Sequence, residues 1–152
     1  MTKNIPLKSD SAYSERQVVE FLVETAIPLR LACHGHKGYP LVASHWFLYE
    51  EGYLCCAVHD SSLVAQLLTD NPKCGFEVAP DTIPYHGVRG QGEVTLSREG
   101  AGEMLGRLIL RYLGNLDSSL AKWLMSRADG EYLVRIRPTW LTAWDFSERM
   151  QS

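Results

Sequence analysis

The stretch that decides the fold is Leu29-Arg-Leu-Ala-Cys-His-Gly-His-Lys-Gly-Tyr-Pro-Leu-Val-Ala-Ser-His-Trp-Phe47. Two mainly apolar runs, 29–33 and 41–49, lie on either side of a segment that holds two glycines and a proline. Glycine and proline are the residues that most often end strands and form turns. Short apolar runs bounded by such residues are typical of antiparallel strands, so this stretch predicts a β-hairpin.

The strand pattern continues on the C-terminal side of the hairpin. Residues 87–97 alternate strictly between small or apolar and polar side chains, which predicts a strand with one buried and one polar face. Further strands are predicted at 53–59, 74–79 and 132–138, the last continuing through 140–146. The chain is therefore expected to contain six strands, counting both strands of the hairpin.

Helices are predicted before, between and after these strands. Ser14 and Gln17 form the sequence of a capping box, followed by apolar residues at helical spacing up to about Ala26. Three further helices are predicted, one at 63–69 after the capping candidates Asp60, Ser61 and Ser62, one at 101–113 closed by Gly114, and one between Asp117 or Ser118 and Gly130. Helices inserted among six strands favour an α+β barrel over a sandwich.

Length and composition indicate one globular domain. The chain has 152 residues and a net charge of -3, with 45% hydrophobic and 22% charged residues. We expect a single domain over 1–152 with a polar leader at 1–13. The negative charge gives no electrostatic reason to expect a nucleic-acid partner.

Membrane insertion and disulfide bonding are not expected. No segment reaches the ~18 uninterrupted apolar residues of a membrane helix, and no apolar run follows the first lysines as in a secretory signal. The four cysteines contain no C-x-x-C pair, which favours buried reduced thiols. We therefore expect a cytoplasmic protein.

Five stretches, in their order and spacing, resemble the pyridoxamine 5′-phosphate oxidase-related family of FMN-binding split barrels. They are the hairpin 29–47, the strand and serine-bearing turn Glu51-Gly-Tyr-Leu-Cys-Cys-Ala-Val-His-Asp-Ser-Ser62, the Asp-Asn-Pro72 that closes the next helix, Val88-Arg-Gly-Gln-Gly-Glu-Val94, and Val134-Arg-Ile-Arg-Pro138 with Trp144-Asp145. The resemblance covers roughly residues 17–149. It implies a six-stranded antiparallel split β-barrel with flanking helices, and a homodimer that holds FMN between its subunits.

The resemblance also implies where FMN contacts the chain. The phosphate is expected near the serines of the turn and near Arg30 and Arg89, which are expected on neighbouring strands. The ring is expected near a tryptophan, and part of the site on the partner subunit. The expected cofactor-binding residues are Arg30, Ser44, Trp46, Val58, His59, Ser61, Ser62, Arg89, Arg137 and Trp144. From the residues alone, serine hydroxyls, a helix N-terminus and arginines are suitable partners for a phosphate.

One departure from the family pattern bears on the cofactor. The family's turn serine is commonly followed by two basic residues, whereas Ser62 is followed by Leu63 and Val64. Arg30, Arg89 or His59 would have to replace the missing contacts. A deazaflavin or haem in place of FMN stays open, as does a barrel without a cofactor.

The expected function is a flavin-dependent oxidoreductase acting on a small molecule, with no catalytic residue assigned. The alternative is a binding module without catalysis. No metal site is expected, because His34 and His36 lie in a turn with no third ligand nearby in sequence. On the face shared by Arg135 and Arg137, cross-strand ion pairs are the structural alternative to a role at the partner's site.

Overall fold

A computed structural model describes residues 5–151. Residues 1–4 of the expected leader therefore lie outside the described residues. The helices and strands, in chain order, are α1 (Glu15–Glu24), β1 (Leu29–His34), β2 (Pro40–His45), β3 (Leu48–Glu50), β4 (Tyr53–His59), α2 (Leu63–Asp70), β5 (Lys73–Val78), β6 (His86–Ser97), α3 (Ala101–Leu113), α4 (Ser119–Ser126) and β7 (Glu131–Asp145).

The strands form one antiparallel sheet in the order β2-β1-β5-β6-β7-β4-β3. The predicted hairpin is confirmed as β1 and β2, with Leu31 opposite Ala43. Leu31 of β1 and Cys56 of β4 are separated by three intervening strands of the sheet, yet they belong to one buried cluster. The sheet must therefore curl around this core, which gives a barrel whose two edge strands are not paired with each other.

The sheet has seven strands, so the expected count of six is wrong. The predicted strand at 41–49 is two strands, β2 and β3, which lie at opposite edges of the sheet. Trp46 and Phe47 connect them, and Phe47 is fully buried. Because both residues are apolar, the sequence of 41–49 resembles one continuous strand. In the structure these residues connect β2 and β3, which lie at opposite edges of the split barrel.

The predicted strand at 132–138 and its continuation through 140–146 are confirmed as one strand, β7, which runs without a break from Glu131 to Asp145. Its pairing with β6 shifts at Gln91 and Gly92, which face Trp140 and Pro138, so that Thr139 is the extra residue of a β-bulge. The Thr139 hydroxyl donates to the Gln91 carbonyl oxygen at 3.1 Å. A bulge increases the local twist of a strand, which suits a curled sheet.

The helices begin and end close to the predicted positions. Ser14 and Gln17 form the expected capping box of α1, and Gly114 ends α3 in the left-handed conformation at φ 80°. Helix α2 packs against both β1 and β4. Helix α3 packs against β4 and β7 on the other side of the sheet, and buries Met104 and Leu108 there.

The segment before α1 lies alongside the second half of β7. The Leu141 amide donates to the Pro6 carbonyl oxygen at 3.0 Å, and the Lys8 amide donates to the Leu141 carbonyl oxygen at 2.9 Å. No helix within residues 5–151 is both long and apolar enough to cross a membrane.

Candidate functional site

A cavity of about 310 Å³ is lined by residues from the end of β2 and the β2–β3 connection, from β4 and β7, and from helices α3 and α4. We call it the Trp46 cavity. Its walls combine five apolar side chains with four residues that carry polar atoms, which are Ala57, Leu105, Leu108, Leu120 and Leu124, and Ser44, His45, Trp46 and Glu131. Small-molecule sites typically have this composition, an apolar lining with a few polar groups, and volumes from about 300 Å³ upward.

Trp46 is held in place by Tyr112 of α3. The two rings are stacked, with centroids 5.1 Å apart and an angle of 8° between their planes. The Tyr112 hydroxyl donates to the Ile27 carbonyl oxygen at 2.8 Å and accepts from the Phe47 amide at 3.1 Å. The indole is therefore fixed on one side by a ring whose own position is fixed by hydrogen bonds.

Two polar atoms of the Trp46 cavity are buried and have no hydrogen-bond partner among the described residues. They are Nε2 of His45 and Oε2 of Glu131. Glu131 is only 8% exposed, and no other charged residue within 5–151 is buried to this degree. Buried polar atoms are almost always paired in native proteins, so two such atoms on residues that line one cavity make it the candidate site.

Burial changes the protonation of both groups. It raises the pKa of Glu131 above its ordinary value, and the nearby His59 and Arg127 act in the opposite direction. Burial also lowers the pKa of His45. Because a low-dielectric surrounding disfavours the charged form of either side chain, burial favours neutral His45 and weakens the acidity of Glu131.

The serine-bearing turn lies beside the Trp46 cavity, since His59 pairs with Glu131 across β4 and β7. Ser62 is confirmed as the N-cap of α2, where its Oγ accepts from the Ala65 amide at 3.1 Å and donates to the His59 carbonyl oxygen at 2.7 Å. The Ser61 hydroxyl and amide both contact Nδ1 of His59, at 2.7 and 3.2 Å. The polar groups of these three residues are thus largely engaged with one another.

His59 has little freedom to turn toward a ligand. A Cβ atom added at Gly130 would clash with Nε2 of His59 and lie 3.0 Å from its Cδ2, so the imidazole is packed directly against the Gly130 backbone. The amide of Asp60 donates to the Gly130 carbonyl oxygen at 2.8 Å, which ties the turn to the start of β7.

The charge at this turn does not suit a phosphate. Asp60 places a carboxylate there, and the guanidinium of Arg98 donates to it at 2.8 Å. This hydrogen bond lowers the pKa of Asp60 and keeps the carboxylate charged. An anion bound at the N-terminus of α2 would meet Asp60, the amides of Ser61, Ser62 and Ala65, which already donate within the turn, and the uncharged side chains of Leu63 and Val64.

The predicted arginines lie elsewhere, on the outer face of the sheet. Arg30 of β1 faces Ser44 on one side and Glu77 on the other, and Glu77 in turn faces Arg89. Arg30 and Arg89 were expected on neighbouring strands. This is wrong, because β5 pairs between β1 and β6 and places the Glu77 carboxylate in the same row.

Two adjoining cavities of about 530 and 370 Å³ form a groove on this outer face. Both are lined by Ala32, Gly75 and Gln91, which form a row of mainly small residues across β1, β5 and β6. Arg30, Arg89 and Trp140 line the smaller of the two. We call this region the sheet groove. Ser44 lies between it and the Trp46 cavity, since Ser44 faces Arg30 and also lines that cavity.

The remaining predicted residues are spread over the molecule. Val58 is buried in the core, so only its backbone can face a ligand. Arg137 pairs with Glu93 at 3.2 Å on the surface, and Arg135 lies over the Tyr53 ring at 4.3 Å. Trp144 packs against Phe146, and its Nε1 is buried without a partner among the described residues.

Sequence reasoning missed Glu131 and the helical wall of the cavity. The signal for Glu131 was weak, because a lone acidic residue just after a glycine resembles an exposed turn residue. The expected state of the cysteines is confirmed, since all four are buried and free. In the described part of the chain, no three His, Cys, Asp or Glu side chains lie close enough to hold a metal ion.

Comparison with known proteins gives matches among solved structures only. No family model matches the chain, and no curated protein matches it. A conserved hypothetical protein from Mycobacterium tuberculosis superposes with a TM-score of 0.78 at 20% identity, over 96% of this chain and 93% of that one. An F420 reductase superposes with a TM-score of 0.68 at 22% identity, over 81% and 94% of the two chains.

A protein from Listeria innocua, named as a candidate pyridoxamine 5′-phosphate oxidase, superposes with a TM-score of 0.60 at 13% identity. This match covers 87% of the chain and 94% of that protein. The expected resemblance is thus confirmed at the level of the fold, which is the split barrel shared by these proteins.

Proposed function

We propose that this split barrel binds a flavin-type cofactor, with the ring in the Trp46 cavity, and uses it to transfer electrons to or from a small molecule. The observation that carries the proposal is that two residues lining a mainly apolar cavity, His45 and Glu131, each have a buried polar atom, Nε2 and Oε2, without a hydrogen-bond partner among the described residues. A flavin ring is flat and apolar along most of its edge and polar at its pyrimidine end, so it matches this lining.

The residues fit the ring better than they fit a phosphate at the α2 turn. Trp46 and the leucines of α3 and α4 supply apolar contacts, whereas Asp60 opposes an anion beside Ser61 and Ser62. Arg30 lies next to a residue of the cavity, because it faces Ser44 across β1 and β2 and Ser44 lines the cavity. We therefore propose that a cofactor phosphate, if the cofactor carries one, is held by Arg30 and Arg89 of the sheet groove.

Riboflavin and FMN differ only by the phosphate, so their affinities test this placement. FMN is expected to bind about tenfold or more tightly than riboflavin, the effect of one charge-assisted hydrogen bond. Arg30→Ala and Arg89→Ala should each reduce that difference, and Ser62→Ala should preserve it. The measurement is the quenching of flavin fluorescence on titration with protein. A difference that survives loss of both arginines would remove them from the site.

We also propose that the protein is a homodimer that forms through the outer face of the sheet. Val42 of β2, at 64% exposure, faces Ala32 of β1, which in turn faces Gly75 of β5, so the three form a row of apolar or small residues on this face. A second copy placed on this face would cover the sheet groove and enclose Arg30 and Arg89. Trp144 and Arg137 are then candidates for contacts with the partner's site.

A bound flavin supplies the two-electron chemistry, and the chain supplies binding and orientation. Fixed by Tyr112, Trp46 holds one side of the ring, while the leucines exclude water from the other residues of the cavity. The visible spectrum of the purified protein tests this role. Absorbance near ~450 nm that fades with NADH or NADPH is expected for a reductase.

The second candidate is a binding module that does not catalyse a reaction, or a barrel that has lost its cofactor. Leu63 and Val64 favour it, since they stand where the family commonly has two basic residues, and the nearby carboxylate of Asp60 is paired with Arg98. A protein that binds flavin but whose absorbance near ~450 nm does not fade with a reductant would establish the binding module, and a colourless protein that takes up neither FMN nor riboflavin would establish the barrel without a cofactor. A Soret band would instead identify haem, and binding of F420 in preference to FMN a deazaflavin.

A further inference from the structure

We infer that Glu131 and His45 recognise the N–H-bearing edge of the ring that enters the Trp46 cavity. The inference rests on the proposed function and deepens it, because it assigns the ring's orientation to two residues of this chain. It also defines the ligand class, which is a flat heterocycle with an N–H donor on its polar edge.

Glu131 offers an acceptor that nothing in residues 5–151 uses. Its Oε2 has no hydrogen-bond partner among these residues, although Glu131 is only 8% exposed to solvent. A carboxylate oxygen accepts and does not donate when it is ionised. The matching group on a ligand is therefore an N–H or O–H donor, and an anionic group is disfavoured.

His45 provides a second polar atom at the same cavity. Its Nε2 is buried and unpartnered, and a neutral imidazole can either donate or accept there, depending on its tautomer. The pyrimidine edge of a flavin alternates carbonyl, N–H and carbonyl. A carboxylate that accepts from the N–H, beside an imidazole that donates to a neighbouring carbonyl, is the complementary arrangement.

The rest of the cavity orients the ring by exclusion. The five apolar side chains that line it offer no hydrogen bond to a polar edge. If the pyrimidine edge faced them, its carbonyl and N–H groups would be buried without partners, which is costly. The polar edge therefore points to Glu131 and His45.

The contacts made by the side chains around Glu131 support this role. His59 lies opposite Glu131 across β4 and β7, yet its Nδ1 is engaged by Ser61, and its Nε2 is packed against Gly130. The Arg98 guanidinium is engaged by Asp60, and the guanidinium of Arg127, the other cation near Glu131, lies over the Trp123 ring at 4.8 Å. The neighbouring cationic or donor groups are thus committed elsewhere, and the carboxylate stays available to the cavity.

Lumiflavin and 3-methyllumiflavin test the inference, because the second carries a methyl group in place of the hydrogen of the pyrimidine N–H and so cannot donate there. Both lack the phosphate and the ribityl chain, so they report on the ring alone. The wild-type protein is expected to bind lumiflavin about tenfold or more tightly than the methylated ring, by fluorescence quenching. Glu131→Gln should weaken lumiflavin binding and reduce this preference, while the matched control Glu93→Gln, a surface carboxylate, should leave both affinities unchanged.

The outcomes separate the two levels of the proposal. Equal binding of the two rings by the wild-type protein would overturn the role of Glu131 and leave the flavin site intact, and this comparison needs no variant to fold. Binding of neither lumiflavin nor FMN would overturn the proposed function itself. A preference retained in full by folded Glu131→Gln would also overturn the inference.

Discussion

At the scale of single residues, the site depends on how closely backbone and side chains approach each other. Gly90 lies on the inner face of β6, where an added Cβ would clash with the Trp140 carbonyl oxygen and lie 2.8 Å from the Phe76 ring. Gly90, one of the two glycines at 88–94, is thus a glycine because the structure leaves no room there for a side chain. The bulge at Thr139 and the barrel core both need β6 and β7 to approach closely here.

We predict that Gly90→Ala lowers the free energy of unfolding by about 2–3 kcal/mol, since backbone must shift to admit the methyl group. Gly106→Ala is the matched control. It lies inside α3, where the nearest atom to an added Cβ is 3.9 Å away. There the same change should raise stability by about 0.5–1 kcal/mol through helix propensity. Urea unfolding of both variants is the measurement, and equal effects would contradict this account.

The buried Glu131 makes a second residue-scale prediction. Its pKa is raised in the folded protein above the ordinary 4.5, so the folded state holds the proton more tightly than the unfolded chain does. The stability from this group is therefore present below pH 4.5 and is lost as pH rises through the folded pKa.

The Glu131→Gln variant has no carboxyl group to ionise at this position. Its melting temperature should therefore rise relative to that of the ligand-free wild type as pH rises from about 4 to 7. His45 has the opposite shift, but it is present in both proteins and its contribution cancels in the difference. His59, Arg127 and Asp60, the other charged neighbours of Glu131, are likewise unchanged. A constant difference in melting temperature over this range would contradict the raised pKa.

At the scale of secondary-structure elements, α1 is fastened to the barrel by α3. The Arg111 guanidinium donates to the carbonyl oxygens of Val23, Leu22 and Thr25, at 2.6, 3.1 and 2.9 Å. These carbonyl groups lie at the C-terminal end of α1, where backbone acceptors have no partner within the helix. Since α3 also carries Tyr112, the same helix positions both α1 and Trp46.

We predict that Arg111→Met lowers the free energy of unfolding by about 2–3 kcal/mol, because charged hydrogen bonds to three carbonyl groups are lost together. Arg16→Met is the control. Arg16 pairs with Glu20 on the exposed face of α1, at 88% and 53% side-chain exposure, and such pairs contribute about 0–1 kcal/mol. Chemical denaturation measures both variants. A loss from Arg16→Met as large as that from Arg111→Met would refute the capping role.

At the scale of the whole molecule, the curled sheet has two different outer regions. Helix α3 covers the outer side of β4 and β7, with Cys55 and Met104 in a second buried cluster. The outer face of β2, β1, β5 and β6 instead carries exposed side chains, including Val42 and Arg89. Residues 5–151 contain no helix that packs on the sheet groove, and the proposed dimer would cover it.

We predict a dimer by light scattering after size-exclusion chromatography, and conversion to a monomer by Val42→Asp. A charge placed at the centre of an apolar interface is disfavoured because it loses water without gaining a partner. Val23→Asp is the control, since Val23 is exposed at 48% on α1. It should leave the dimer intact. A wild-type monomer would show that the groove serves another purpose.

The sequence by itself determined the identity of most elements and the fold class. Strict alternation at 87–97 and the Ser14–Gln17 capping box depend on neighbouring residues only, so β6 and the start of α1 were predicted closely. Ser62 as an N-cap was likewise readable, because capping is a local interaction.

The tertiary structure alone decided which residues meet. The curl of the sheet carries Trp46 and Phe47 from one edge to the other, which no periodicity shows, and it brings His45 to the cavity that Glu131 also lines, 86 positions later in the chain. Strand order places Glu77 between Arg30 and Arg89. Strand pairing and burial depend on residues far apart in sequence. They bring His45 and Glu131 to one cavity, and they pair Arg98 with Asp60, so that this cation is not free beside Ser62.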